Sequence, residues 1–252
     1  YPFPTGTTIP AGGYLIVWCD SNTNAPGLHS GFALNLDGET VALYDANTNR
    51  VDVVTFGPQV PNLTVGRGGA SAAWQLCEPT PGTPNEAAPL GAQADLVLNE
   101  LLAKPGAGQD DWLELHNRNL SLPVPLHGLY FKMGNTLCRL LGPAFVAPGG
   151  YVQLHADEQP GPGHLALKLP AEGGTLVLAD AAGGELDQLT YGAQTEGVSA
   201  GRLPDGTGPL TAFPGSASPG AANYARVWTG PVLNEFLARN KTTVTNAAGQ
   251  FR

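Results

Sequence analysis

The chain has 252 residues and a net charge of −9, with only four lysines and no basic run. Binding to a phosphate backbone depends on clustered Lys and Arg, so nucleic acid is excluded as a partner. The longest apolar run, Tyr14 to Cys19, is far too short for membrane insertion.

The 34 glycines and 23 prolines approach a quarter of the sequence, yet 42% of residues are hydrophobic and fall in short regular runs, enough for a packed core. Those runs have period two and are broken by Gly, Pro, Asn and Asp clusters, the pattern of an all-β sandwich. From the N-terminus, a Pro10–Gly13 turn leads into a strand through Leu15, Val17 and Cys19. Further apolar sets follow at Phe32, Leu34 and Leu36, at Val41 and Leu43, and at Val54 and Phe56, with a hairpin turn at Asp45–Asn49. Residues 79–93, rich in Pro, Gly and Ala, read as a stiff linker. Strands are then predicted near Leu96–Ala103, Trp112–Asn117, Leu126–Phe131 and Leu137–Leu141.

After these, the first pattern returns. Pro148-Gly149-Gly150-Tyr151 repeats the opening turn, and Val152, Leu154 and Ala156 repeat Leu15, Val17 and Cys19. Leu165, Leu167 and Leu169 answer Phe32, Leu34 and Leu36. Leu176 and Leu178 answer Val41 and Leu43, and Leu189 and Tyr191 answer Val54 and Phe56. After a second linker at 214–230, Val232-Leu233-Asn234-Glu235-Phe236-Leu237-Ala238 repeats Val97-Leu98-Asn99-Glu100-Leu101-Leu102-Ala103 at an offset of 135 residues. The period is that of a domain. The expected organisation is the closing part of a first sandwich over 1–88, a complete second over 94–224 and the start of a third over 230–252, joined as a string. The parity kept apolar in both repeats must face the core. The opposite parity, Tyr14, Ile16 and Trp18, becomes Tyr151, Gln153 and His155; those three residues of the first repeat are either covered by a neighbouring part of the protein or form a binding surface.

The ordered set Leu98-Asn99-Glu100, Trp112-Leu113-Glu114-Leu115-His116-Asn117 and Leu126-His127-Gly128-Leu129 resembles the opening half of a lamin-tail domain. The Pro148–Tyr151 turn, Gly173–Leu178 and Asp187–Gly192 resemble its closing half. The resemblance implies tandem immunoglobulin-like β-sandwich domains, of the kind strung through large secreted or surface-attached bacterial proteins. It implies no catalytic residues and no cofactor; the Asn-Glu and Glu-Leu-x-Asn positions are expected to tie strands to loops. The expected function is a non-catalytic structural, adhesion or binding module, extracellular or at the cell surface. Its expected partners are a surface protein or glycan and neighbouring repeats of the same chain. The alternatives are an accessory module beside a catalytic domain and a carbohydrate-binding module.

Candidate sites are few. Gly197-Val198-Ser199-Ala200-Gly201 matches a nucleophile-elbow pattern, but no strand-to-helix turn is predicted and the first repeat has Asn62-Leu63-Thr64-Val65-Gly66 in its place. No metal site is assigned; the nearest candidates are two acidic groups. Asp45, Asn47 and Asn49 have calcium-loop spacing, yet Arg50 stands where glycine is needed, so a hairpin turn is expected. Asp110, Asp111 and Glu114 flank Trp112 and read as a solvated loop. Cys19 and Cys77 both lack counterparts in the second repeat, as a bonded pair would, and a disulfide there would stabilise by about 4 kcal/mol; two separate buried thiols are the alternative. Cys138 has no assignable partner.

Overall fold

The computed structural model describes residues 1–227, 229–233 and 244–250. Over residues 96–213 the strands are β8 (Leu96–Leu102), β9 (Asp111–Asn117), β10 (Val124–Pro125), β11 (Tyr130–Met133), β12 (Thr136–Arg139), β13 (Phe145–Val146), β14 (Tyr151–Ala156), β15 (Gly174–Ala179), β16 (Glu185–Tyr191), β17 (Ser199–Arg202) and β18 (Leu210–Phe213). They form a five-stranded sheet in the order β14-β9-β8-β17-β18 and a four-stranded sheet in the order β12-β11-β15-β16, with β10 and β13 paired separately. One core joins the two sheets: Leu98, Leu101, Leu113, Leu115 and Leu154 from the first pack with Phe131, Leu176, Leu178 and Leu189 from the second. This is an all-β sandwich. Among the described residues the only helical element is a single 3-10 turn, Gln93–Asp95.

Alternation dictates the packing. Along β14, Val152, Leu154 and Ala156 are buried while Tyr151, Gln153 and His155 are half-buried, matching the parity read from the repeats. Leu165, Leu167 and Leu169 are buried too, although they lie outside any regular strand.

The first 88 residues hold β1 (Val17–Trp18), β2 (Leu28–His29), β3 (Glu39–Tyr44), β4 (Arg50–Phe56), β5 (Thr64–Gly68), β6 (Ala73–Glu78) and β7 (Glu86–Ala87). They repeat the closing part of the sandwich in detail. β3 and β4 form a hairpin with a register shift between Leu43 and Tyr44, as β15 and β16 do between Leu178 and Ala179. Thr40 and Thr55 share a hydroxyl hydrogen bond of 2.7 Å across the first hairpin, and Thr175 and Thr190 share one of 2.8 Å across the second. The turn of the second hairpin places Gly183 at φ +86, while the first places Thr48 at φ +65, a left-handed backbone that a β-branched residue enters only under strain.

The linkers do not behave as spacers. Phe145 packs with Val60, Leu76 and Ala88, so the two segments share an apolar cluster. Backbone bonds reinforce it: the Gly57 N–H donates to Pro143 O at 3.0 Å and the Phe145 N–H to Pro58 O at 2.8 Å. Residues 214–224 fold back onto the sandwich, burying Ser216, Ser218 and Asn223. In the second linker the Pro219-Gly220 turn is followed by the buried Asn223, whose side chain donates to Asn99 O and Arg202 O. The third repeat start falls largely outside the described residues.

Candidate functional site

The five-stranded sheet carries a buried polar network built on β8 and β9. Asn99 is fully buried; its Nδ2 donates to Glu114 Oε1 and to Asp205 Oδ1, each at 2.9 Å, and its Oδ1 accepts from the Gly206 N–H at 2.9 Å. Glu100 accepts from Ser199 Oγ at 2.5 Å and from both the N–H and the Oγ of Ser218. Glu114 accepts from the Gly220 N–H at 2.6 Å. Asn223 closes the ring, its Nδ2 donating to Asn99 O at 3.3 Å and to Arg202 O at 3.0 Å. Burial pushes the Glu100 carboxyl above its ordinary range and drives Glu114 up to about 8, with the neighbouring acids acting in the same direction. On β9, Asn117 donates to the carbonyls of Leu122 and Ala147 and so fixes the following loop. These side chains tie strands to loops.

Several sequence candidates are relocated by this geometry. Asp111 and Glu114 are buried strand residues, which corrects the reading of Asp110, Asp111 and Glu114 as a solvated loop; only Asp110 is exposed. Asp111 accepts from the Leu169 N–H at 3.1 Å, away from the network around Glu114. Three residues apart on a strand, the two side chains leave opposite faces. Asp45 caps a hairpin turn: its Oδ1 accepts from the N–H groups of Asn47 and Asn49 at 2.8 Å, and its Oδ2 from the Asn49 side chain at 2.9 Å. Asp180 makes the same bonds to Ala182 and Gly184. Among the described residues no three His, Cys, Asp or Glu side chains converge on one point. Ser199 lies buried within β17, not on a strand-to-helix turn, and its hydroxyl is spent on Glu100.

The disulfide is not formed; Cys19, Cys77 and Cys138 are all free thiols. Cys77 stands opposite Thr64 as Phe213 stands opposite Ser199, so its counterpart is a core phenylalanine. Thr64 and Cys77 are 13 residues apart and Ser199 and Phe213 are 14, so the loop between the paired strands is one residue longer in the second repeat. Cys77 thus packs as an apolar side chain.

Two features escaped sequence reasoning. First, His29 Nδ1 meets Asp20 Oδ1 at 2.7 Å and His164 Nδ1 meets Asp157 Oδ2 at 2.7 Å, an Asp–His pair present in both repeats. The hydrogen bond from Asp20 raises the His29 pKa and lowers that of Asp20. The spacing differs by two residues between repeats, so the recurrence was hidden. Second, Thr80-Pro81-Gly82 with Asn85 mirrors Ser218-Pro219-Gly220 with Asn223. Asn85 Nδ2 donates to Arg67 O at 3.0 Å just as Asn223 does to Arg202 O.

Among the described residues of the first repeat no strand corresponds to β8 or β9. A groove of about 640 Å³ opens between β1 and β5, lined by Ile16, Trp18, Leu34, Gly66, Trp74 and Asn85 among others. A second apolar hollow of about 510 Å³ adjoins it around Leu36, Val41, Val54 and Phe56. Leu34 is 47% exposed where its counterpart Leu167 is 1% exposed. Full burial of one such side chain is worth about 1.5–3 kcal/mol, so the uncovered face forgoes several times that. Tyr14, Ile16 and Trp18 are exposed on the outward parity of this same edge. Arg67 lies 4.4 Å above the Trp74 ring and pairs with Asp52 at 2.8 Å, the counterpart of the Arg202–Asp187 pair at 2.9 Å.

None of the protein-family models, curated proteins and solved structures compared with the chain matches it.

Proposed function

We propose that this chain is a non-catalytic segment of tandem, lamin-tail-like, immunoglobulin-like sandwiches within a larger secreted or cell-surface bacterial protein, serving in spacing, adhesion or binding. The observation that carries this reading is the use made of the chemically capable side chains. Glu100, Glu114, Ser199 and Asn99 are buried and bonded to one another or to loop backbone, as a strand-tying network requires. Recognition then falls to the exposed surfaces. The first repeat's edge exposes Tyr14, Ile16 and Trp18, and a protein or glycan is the expected ligand class. Tyr14 and Trp18 are both about half exposed, and such accessible aromatic faces favour a carbohydrate partner over other ligands.

Two assays test the reading together. Incubation with chromogenic ester and glycoside substrates should give no turnover; hydrolysis abolished by Ser199→Ala would overturn the non-catalytic assignment. Binding to arrayed cell-surface glycans and matrix proteins should drop at least tenfold in Trp18→Ala. Unchanged binding in that variant would remove the first repeat's edge from the contact surface.

A further inference from the structure

We infer that His155 and His164 form a two-histidine site for a divalent transition-metal ion of the zinc and copper class, with Asp157 orienting one of the ligands. The chain path brings the two rings together. β14 ends at Ala156, and alternation puts His155 on the face opposite the buried Leu154 and Ala156. The chain then turns back through a left-handed residue, Glu158 at φ +63, and runs beside the strand it has just left. The His155 N–H donates to Gly163 O at 2.8 Å and the Leu165 N–H donates to His155 O at 2.7 Å, so His164 is paired in parallel with His155. Directly paired residues present their side chains on one face. The two ring centroids lie 5.2 Å apart, and both rings line one hollow of about 470 Å³.

Asp157 fixes the second ring. Its Oδ2 lies 2.7 Å from His164 Nδ1, while its Oδ1 accepts from the Gln159 N–H at 3.1 Å. A carboxylate only accepts, so Nδ1 carries the hydrogen and the neutral ring keeps its lone pair on Nε2. Among the described residues that Nε2 has no hydrogen bond, and neither ring nitrogen of His155 has one. The His164 side chain is 41% exposed, so an ion reaches it from solvent. A carboxylate on the far nitrogen is the usual support of a metal-binding histidine.

The separation suits an ion. Two imidazoles bound at about 2.0–2.1 Å in adjacent coordination positions hold their ring centres about 5 Å apart. Imidazole nitrogen favours zinc, nickel and copper over magnesium and calcium, which take oxygen ligands. Water fills the remaining positions, and the ion ties the end of β14 to the returning loop.

The first repeat supplies the comparison. There Trp18 and His29 are paired in parallel in the same way, and Asp20 holds His29 Nδ1 at 2.7 Å. Trp18, however, stands where His155 stands. The His29 Nε2 meets Pro26 O at 3.4 Å, an acceptor that calls for a hydrogen there, and the side chain is only 7% exposed. The Asp–His pair is therefore common to both repeats, and the second histidine with a free lone pair beside it makes the site.

The test is a Zn²⁺ titration of the full chain at about pH 7.5 in a non-coordinating buffer, read by calorimetry and by NMR of the histidine ring nitrogens. One equivalent should bind, and the His155 and His164 rings should shift together while those of His29, His116 and His127 stay in place. Cu²⁺ should bind more tightly than Zn²⁺, and Mg²⁺ should move neither ring. His155→Trp, which copies the first repeat, and His164→Ala should each weaken Zn²⁺ binding at least tenfold. Asp157→Asn should weaken it about tenfold and should cost the metal-free His164 its single Nδ1–H tautomer, a signature that a merely structural role for Asp157 leaves unchanged. Because the ring signals of the parent locate the ion without any substitution, a variant that fails to fold leaves the test intact. The absence of any ring shift at millimolar Zn²⁺ overturns the inference. A His164 shift that persists undiminished in His155→Trp, or an equal response to Mg²⁺, overturns the two-histidine site.

Discussion

Residues 1–88 and 94–224 are built from the same local devices and differ in what those devices hold. Both have the Asp-capped hairpin turn, the threonine pair across that hairpin, the Arg–Asp pair, the Asp–His pair and the asparagine on the arginine carbonyl. Among the described residues β8 and β9 belong to 94–224, and there the facing leucines are buried while Leu34 and Leu36 of the first repeat are exposed. Local structure therefore forms from local sequence, while burial depends on two strands that are distant in the chain. A turn is fixed by a carboxylate and two amides; a core needs both of its walls.

The sharpest way to break this comparison is to truncate matched leucines. Leu167→Ala removes a buried side chain and should cost about 2–5 kcal/mol, whereas Leu34→Ala should cost under about 1 kcal/mol, read by urea unfolding of each variant. Equal losses would mean that the first repeat has a closed core in solution. A smaller contrast is expected at the paired asparagines. Asn223→Ala strands the Asn99 and Arg202 carbonyls in a buried site and should cost about 2–3 kcal/mol. Asn85 is exposed, and its loss should cost less than about 1 kcal/mol. At the hairpins, Thr48→Gly should stabilise by about 1 kcal/mol by relieving a left-handed backbone, bringing the first turn into line with Gly183.

Much of this was legible in the sequence because the chain carries its own comparison. Positions apolar in both repeats marked the core face, and Val152, Leu154 and Ala156 are buried accordingly. The hairpin turns were legible because Asp at a strand end, followed by small polar residues, has few other uses. What stayed hidden depends on geometry between distant residues. Nothing in the spacing of Glu100, Ser199 and Ser218 shows that they meet, since they come from three separate stretches of chain. The stretches rich in Pro and Gly read as spacers because composition reports local stiffness; that Ser218 and Asn223 dock onto β8 is a property of the finished sheet. That Cys77 stands opposite Thr64 as Phe213 stands opposite Ser199 is a matter of strand register, which the repeat alone does not show.

The remaining expected effects are pH-dependent, and they too separate the segments. Glu114 holds its proton to about pH 8 in the folded chain but releases it near the ordinary carboxyl range when unfolded. The folded state then binds more protons, so stability falls as pH rises between those limits. Melting temperatures between pH 5 and 8 should decline by several degrees, and Glu114→Gln should flatten the decline; an unchanged slope would assign it elsewhere. The first repeat contributes a fainter slope of the same sign through His29. The Asp20 hydrogen bond raises its pKa, so its contribution is complete below the unfolded histidine value and is lost as pH climbs through the folded one. Solvent screens this exposed pair, and the effect should amount to a small shift confined to the histidine range. Asp20→Asn should erase it and leave the Glu114 slope intact. NMR titration of the His29 ring provides the direct check: a midpoint that does not fall in Asp20→Asn would show that the pair is not formed in solution.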